Sequence, residues 1–327
     1  MPVLKMTAGV KCYNNVRYIR EALESAFAQK YRPLEIVVSD DGSNDGSWDV
    51  VRSVVEEHRG DDVHVVVNRN EINLGNLGNW ERICELASGD FVVKFDGDDI
   101  SEPDRIARIV SAVTTALEQG LSPTVVGHGG LLIGPRGEAM GVMPPATKGY
   151  VVGAAMAFSR RCFTVFGKAV CDAHIGDDEL YAKRGMMIGD FVEMNDRLVR
   201  YRKGTGASNS LWDMRKPLLL CTNDMLATVD QCYVDLGKIQ DKNIVDFWCR
   251  RLAEERGQAE ARRDLVGGNT IRTRISGAKR LMTGGIVWRF LKCAFVMPRW
   301  IGDGLLLVYV VVRHIKRIAT GVKRECD

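Results

Sequence analysis

The sequence predicts an α/β fold built on a mostly parallel sheet with helices on both faces. Four short apolar runs rich in β-branched residues recur through the first half of the chain. The segments between them place apolar residues at i, i+3 and i+4, the spacing of amphipathic helices. Acidic clusters follow directly on two of the runs, and ligands of such sheets sit there, beyond the carboxyl ends of the strands.

In chain order, Ala8–Cys12, Leu34–Ser39, Val63–Asn68 and Phe91–Phe95 read as strands, with Glu21–Gln29, Trp48–His58 and Leu77–Ala87 as the helices between them. After Pro103, Asp104–Leu117 reads as a helix, and Thr124–Ile133 and Tyr150–Phe158 as glycine-interrupted strands. Asp178–Gly185 is expected to be helical, Met186–Phe191 and Leu198–Arg202 extended, and Leu211 to Arg263 mainly helical. Gly267 and Gly268 break the pattern near Val266–Asn269. The expected organisation is a catalytic domain over residues 1–210, a helical extension packed on it over 211–268, and a basic, apolar tail over 269–327.

With 327 residues, 46% hydrophobic and 27% charged, the chain can bury a sizeable core. Its nine cysteines are scattered, odd in number and never paired as C-x-x-C, so they signal neither a zinc site nor a disulfide framework and suit a reducing cytoplasm. Residues Met1 to Val10 lack the basic and apolar regions of a secretory signal, so a cytoplasmic location is expected. Net charge is +3, unevenly spread: from Thr270 onward twelve Lys/Arg face three acids (Asp303, Glu325, Asp327), a local +9 that leaves the preceding chain at −6. An acidic catalytic half argues against nucleic acid as a partner, because phosphate backbones need clustered Lys/Arg.

Four clusters carry candidate chemistry. Asp40-Asp41-Gly42-Ser43-Asn44-Asp45-Gly46 closes the second strand; its carboxylates can accept hydrogen bonds from a base or ribose, although a plain turn and helix cap have the same composition. Asp96-Gly97-Asp98-Asp99 places three carboxylates within four residues, a crowding that a hard cation relieves; helix capping would account only for Asp99. Gly176-Asp177-Asp178-Glu179 opens a helix, where the dipole keeps a carboxylate ionised, as a base requires and as a simple cap also would. Arg200-Tyr201-Arg202-Lys203-Gly204 runs into a glycine-rich loop and can hold a diphosphate, or can serve as a charged strand edge.

Taken in order, these pieces resemble glycosyltransferase family 2, the inverting family with the GT-A fold. The resemblance rests on Val10-Lys11-Cys12-Tyr13-Asn14-Asn15 with Tyr18 to Ser25, Gln29-Lys30-Tyr31 through the Asp40 to Gly46 cluster, Asn73-Leu74-Gly75, and Ala87-Ser88-Gly89-Asp90 through Asp99. Downstream it includes Ala157 to Arg161, Asp177-Asp178-Glu179-Leu180 and Leu198 to Arg202. The resemblance implies a GT-A fold: a Rossmann-like mixed sheet flanked by helices, here with a helical C-terminal extension. It also implies residue roles. Asp41 with Asp40 would recognise the nucleotide base, and Cys12, Tyr13 and Asn14 would wall the base pocket. Asp96 would approach the ribose and, with Asp98, the metal (Mg²⁺ or Mn²⁺) bridging the diphosphate. Arg202 and Lys203 would serve the diphosphate. Asp178 would be the base that deprotonates the acceptor hydroxyl.

The implied donor is a nucleotide-diphosphate sugar, and the implied acceptor a saccharide or lipid-linked saccharide. The chain departs from the family pattern with Lys11-Cys12 for Pro-Thr, Trp80-Glu81 for Arg-Asn, Lys203-Gly204 after the Tyr-Arg pair in place of His, and Asp177 for Glu.

Charged residues interrupt the apolar tail, and its longest clean run, Gly304–Val312, falls well short of the roughly 20 residues that span a bilayer. Two readings fit it: a peripheral membrane contact made of apolar and basic residues, or a helix packed on the catalytic domain. Two rival functions are a nucleotidyltransferase-like enzyme, for which the phosphate-cradling G-x-x-x-x-G-K-[ST] and G-x-G-x-x-G loops are missing, and a non-catalytic carbohydrate-binding protein.

Overall fold

Why the first half of the chain forms a parallel sheet is visible in the burial of its strands. In a computed structural model, which describes residues 3–60, 62–170, 176–204 and 215–267, every residue of β1 (Met6–Cys12) and β2 (Leu34–Asp40) is buried. In β4 (Phe91–Asp96) all but the last are. Strands covered on both faces read as continuous apolar runs, and helices supply the cover. β3 (His64–Arg69) is an edge and alternates between half-buried and exposed residues. These four strands are parallel in the order β3-β2-β1-β4.

The sheet continues with antiparallel β8 (Met156–Ser159) beside β4, then β6 (Pro123–Ile133), β9 (Asp190–Arg202) parallel to β6, and the two-residue β5 (Ile100–Ser101). β7 (Ala139–Met143) forms a hairpin on β6.

The even-numbered residues of β1 face one way and the odd-numbered the other, as the strand period of two requires. Met6, Ala8 and Val10 pack with Phe91, Val93 and Phe95 against α1 (Ile19–Phe27), α2 (Ser47–Glu57) and α4 (Arg105–Glu118), whose Leu23, Val51 and Ile109 belong to the same core. The opposite face carries Gly9, Lys11, Lys94 and Asp96 and lies under α3 (Gly75–Leu86). Gly9 permits that approach, since a Cβ there would sit 2.7 Å from Cγ2 of Ile83. The functional cluster grows from this second face.

The structure amends the expected elements in the second half. Of Tyr150–Phe158, only the part from Met156 is strand; Gly153–Ala155 forms a 3₁₀ turn. Met186–Ile188 complete α6 (Asp177–Ile188) rather than starting a strand. β9 then runs unbroken from Asp190 to Arg202, joining two segments expected to be separate. The switch falls at Gly189, where a Cβ would meet the Ser122 carbonyl oxygen at 2.4 Å. The short strands β5 and β7 and the one-turn α5 (Arg161–Thr164) were not expected.

The remaining elements are α7 (Arg215–Leu236) and α8 (Lys242–Gly267). The chain divides into two compact units, Met1–Asn209 with Asp230–Trp248, and Ser210–Val229 with Cys249–Asp327. Of residues 211–268, Asp230–Trp248 fall in the first unit and the rest in the second. The tail over 269–327, with both of its readings, lies outside the described residues. Among the described residues no helix is long and apolar enough to cross a membrane.

Within the first unit, α6 is fastened by a fully buried ion pair. Arg184 donates through Nε and a terminal nitrogen to the two carboxylate oxygens of Asp235 (2.8 and 3.1 Å) and through the other to the Gly167 carbonyl (2.9 Å); Gln231 also donates to Asp235 (3.0 Å). Removing one partner strands the other's charge. Asp235→Ala is therefore expected to destabilise the protein by about 3–5 kcal/mol, whereas the double variant Arg184→Met/Asp235→Leu loses much less. Denaturant unfolding of the three proteins checks this.

Candidate active site

A cleft of about 890 Å³ opens at the carboxyl ends of β1 and β4, beside the first turns of α3 and α6 and the end of β9. Of the residues singled out from sequence, Cys12, Tyr13, Asp41, Asp96, Asp98, Asp178, Arg202 and Lys203 line it; Asn14 and Asp40 do not. Three acidic stretches separated by more than fifty residues of chain thus meet around one space.

Asp41 follows β2 and reaches the start of α3. Its carboxylate accepts the backbone N–H groups of Leu74 (2.8 Å) and Gly75 (3.0 Å) and the Asn70 amide (2.8 Å). The first N–H groups of a helix have no partner within it, and no side chain of α3 itself caps this one. Asp41 is therefore a cap delivered from a neighbouring strand, with one edge turned to the cleft.

Asp40 lies beneath the cleft and does not line it. Fully buried, it accepts the Ser43 hydroxyl (2.5 Å) and N–H (3.1 Å) and pairs with Arg69 (3.4 Å), closing the turn under the cleft. Asn14 likewise straps two loops: its N–H donates to Ser43 Oγ (2.9 Å), its side chain accepts the Asn44 N–H (3.0 Å), and its φ of 50° is one that Asn tolerates better than most residues.

Arg202 is buried and its donors are already committed. Its side chain reaches the carbonyls of Asp98 (2.8 Å), Gly134 (3.3 Å) and Pro135 (3.2 Å) and the Glu21 carboxylate (2.7 Å), and it stacks over Tyr18. It braces the acidic turn from behind while also lining the cleft. The neighbouring Lys203 is exposed at the cleft rim, over the Tyr201 ring.

Two lysines missed from sequence dominate the electrostatics. Lys11 Nζ lies 2.5 Å from Asn76 Oδ1, 3.0 Å from Asp177 and 3.2 Å from Asp96. Lys94, also buried, contacts Asp177 (2.7 Å) and Asp178. Asn76 donates to the second oxygen of Asp177 (2.8 Å). Burial drives the Asp177 carboxyl toward neutrality, but the two ammonium groups and their hydrogen bonds overcome it and hold it well below the usual carboxylate range.

Asp178 goes the other way. Burial, with the negative charge of Asp177 next, pushes its carboxyl up to about 6 even though Lys94 opposes the shift. The signal available in the sequence was a lysine inside each of two buried strands, Gly9-Val10-Lys11-Cys12 and Val92-Val93-Lys94-Phe95. Such a charge is retained only where carboxylates meet it.

Among the described residues no group of three or more His, Cys, Asp or Glu side chains could hold a metal by itself. Asp96 and Asp98, two residues apart on one turn facing the cleft, nevertheless fit Mg²⁺ or Mn²⁺, which take one or two carboxylates and complete their shell with phosphate and water oxygens. Lys11 shares the Asp96 carboxylate.

Parallel strands β3-β2-β1-β4 extended by a mixed half, with acids gathered at the strand ends, define a GT-A glycosyltransferase fold. The mannosyltransferase PcManGT from Pyrobaculum calidifontis, solved in complex with GDP-Man and Mn²⁺, shares this fold at a TM-score of 0.57 and 16% identity, over 95% of this chain and 87% of that one. Residues 7–131 match the family described as Glycosyl transferase family 2, and that stretch belongs to it.

An uncharacterized glycosyltransferase of Nostoc sp. is 32% identical over 113 residues, 35% of this chain and 34% of that protein. A glucosyl-dolichyl phosphate glucuronosyltransferase of Haloferax volcanii is 33% identical over 132 residues, 40% of this chain and 39% of that protein. The chain thus covers little more than a third of the length of these curated relatives.

Because Asp177 is more acidic in the folded protein than in the unfolded chain, the unfolded state binds more protons as pH falls. Its contribution is present above the ordinary carboxylate range, near 4, and is lost on acidification below it. Asp177→Asn is expected to cost about 3–5 kcal/mol at neutral pH and to flatten the acid decline of stability. Unfolding curves collected from pH 7 to pH 3 measure both.

Proposed function

We propose that the protein transfers a sugar from a nucleoside-diphosphate sugar to a hydroxyl of a saccharide or lipid-linked saccharide, with inversion at the anomeric carbon and assistance from Mg²⁺ or Mn²⁺. One observation carries the reading: the cleft collects carboxylates of different character, Asp96 and Asp98 on the turn after β4 and Asp178, raised toward neutral pH, at the start of α6.

A carboxylate whose pKa lies near working pH is suited to accept a proton and remain ionised enough to do so. The acceptor O–H gives its proton to Asp178 as its oxygen bonds to the anomeric carbon. The bond from that carbon to the diphosphate oxygen breaks, and the electron pair leaves with the nucleoside diphosphate. Attack from the side opposite the leaving group inverts the centre. Asp96 and Asp98 would hold a divalent cation, whose chemistry is to offset charge on the departing diphosphate.

Cys12, Tyr13 and the cleft-lining edge of Asp41 would face the nucleoside, and Lys203, with its ammonium at the rim, the phosphates. The GDP-Man and Mn²⁺ found with the Pyrobaculum mannosyltransferase support the donor class and the cation, and the dolichyl-phosphate-linked substrate named for the Haloferax relative supports a lipid-linked acceptor. Within this reading residues 1–210 are the catalytic part and the protein works on the cytoplasmic side, where nucleotide sugars would be at hand.

Screening UDP- and GDP-sugars by thermal shift with Mn²⁺ identifies the donor, since a ligand that binds the folded state raises the melting temperature. Against that donor, Asp178→Asn is expected to keep affinity and to lower nucleoside diphosphate release more than about tenfold. Turnover above a tenth of wild type would remove Asp178 from the base role. Asp98→Ala is expected to abolish the Mn²⁺-dependent part of donor binding; unchanged calorimetric affinity with and without Mn²⁺ would refute the metal assignment. The acid limb of the pH profile of kcat/KM is expected near pH 6, activity falling below it as Asp178 takes up its proton.

A further inference from the structure

The surroundings of Asp178 hold it in one orientation from two directions. Its Oδ2 accepts the backbone N–H of Gly153 at 2.9 Å, and its Oδ1 contacts the ammonium of Lys94. Lys94 belongs to β4, and Gly153 to the 3₁₀ turn that leads directly into β8, so one holder stands on the sheet and the other at the entry to one of its strands. The space itself is selective. A Cβ at residue 153 would sit 1.9 Å from Oδ1, 2.2 Å from Cγ and 2.3 Å from Oδ2 of Asp178. No side chain fits there while the carboxylate stays in place. The backbone at Gly153 is outside the positive-φ glycines, so alanine is excluded by the carboxylate and not by chain conformation.

We propose that Gly153 and Lys94 are positioning residues for Asp178: the glycine N–H and the lysine ammonium each fix one carboxylate oxygen, in a space that only glycine leaves open. The inference rests on the base reading of Asp178 for its catalytic meaning, but the geometry can be tested without it.

Lys94 alone would make a poor holder for a base, because a buried cation at contact distance favours the ionised carboxylate and weakens its pull on a proton. Asp177 answers this. It pairs with the same ammonium at 2.7 Å and is itself held by Lys11 and Asn76. One positive charge is thus divided between two carboxylates, and the second of them repels charge on the first. Lys94 can orient Asp178 without suppressing its basicity. The Trp80 ring lies beneath this buried lysine, 5.8 Å from Nζ, and adds a cation–π contact to its two carboxylates.

The groups facing Asp178 are therefore Lys94 and Gly153 in contact, with Asp177, Lys11 and Asp96 acting through space.

Two experiments on the full-length protein test the proposal. In the first, carboxyl ¹³C resonances of aspartate-labelled protein are titrated with no donor present, and Asp178 is assigned by the signal lost in Asp178→Asn. Lys94→Met is expected to move the Asp178 midpoint upward by about one unit or more, as removal of a contacting cation should, and Lys94→Arg to restore most of the shift. A midpoint unchanged in Lys94→Met overturns the lysine's part.

In the second, Gly153→Ala is assayed by nucleoside diphosphate release from the donor selected by thermal shift. The expected result is a kcat lowered by roughly a hundredfold, the scale of a misplacement near 1 Å, with donor KM within about twofold and circular dichroism unchanged. Wild-type kcat in Gly153→Ala overturns the proposal. If instead Asp178→Asn retains turnover while the titration shifts appear, the positioning stands and the base reading fails.

Discussion

The rest of the site depends on the sharing of Asp177 by two buried lysines. A carboxylate and two ammonium groups removed from water cost several kcal/mol apiece unless they satisfy one another, and here they do: Lys11 and Lys94 converge on one oxygen of Asp177 and Asn76 donates to the other. The contacts join β1, β4, α3 and α6. Their charges do not cancel. Asp96, Asp177 and Asp178 bring three negatives against two positives, and the surplus falls on the acid least able to share a cation. That acid is Asp178, raised toward neutral pH, while Asp177 is driven the other way.

The same economy divides the other acids. Asp40 and Asp41 are adjacent, yet one closes a turn in the interior and the other caps a helix with an edge left to the cleft. Successive residues at the end of a strand point to opposite faces, so a pair of aspartates there splits into one that supports and one that can serve. Asp99 follows the same logic beside Asp98. It is buried and accepts the Arg202 N–H (2.7 Å), and burial together with the charges of Asp96 and Asp98 drives its carboxyl well above the usual range. Arg202 then binds the back of that turn through the Asp98 carbonyl, which fixes the direction in which Asp96 and Asp98 project.

Much of this was legible in the residues. The alternation of apolar runs and amphipathic spacers located β1 to β4 and α1 to α4 within a few residues, because each of those strands is a short run rich in apolar residues and each helix is apolar on one face. It failed where local pattern and tertiary demand part. Val151 and Val152 look extended, but the chain turns at Gly153 to bring an N–H to Asp178, and no period in the sequence records that partner. Lys203 and Arg202 look alike as cations beside a glycine. Only the fold reveals that one is spent on carbonyls and Glu21 and the other stands at the rim.

The lysines were the larger omission. A positive charge within Val92-Val93-Lys94-Phe95 was readable as an anomaly, yet its partners lie more than eighty residues away.

That anomaly also explains how two halves of different topology keep register. The parallel half, β1 to β4, carries the turn with Asp96 and Asp98, whereas Asp178 belongs to the mixed half beyond β8. β4 is the strand at which the two halves join, and it holds Lys94 and Asp96 on one face, two residues apart. The strand rise sets their spacing along the chain at about 6–7 Å. Lys94 reaches across to Asp177 and Asp178, and Asp96 reaches back to Lys11 on β1. The distance between the acids of one half and the carboxylate of the other is therefore set by one pleat of a buried strand, the least deformable element available, and not by the loops that surround the cleft.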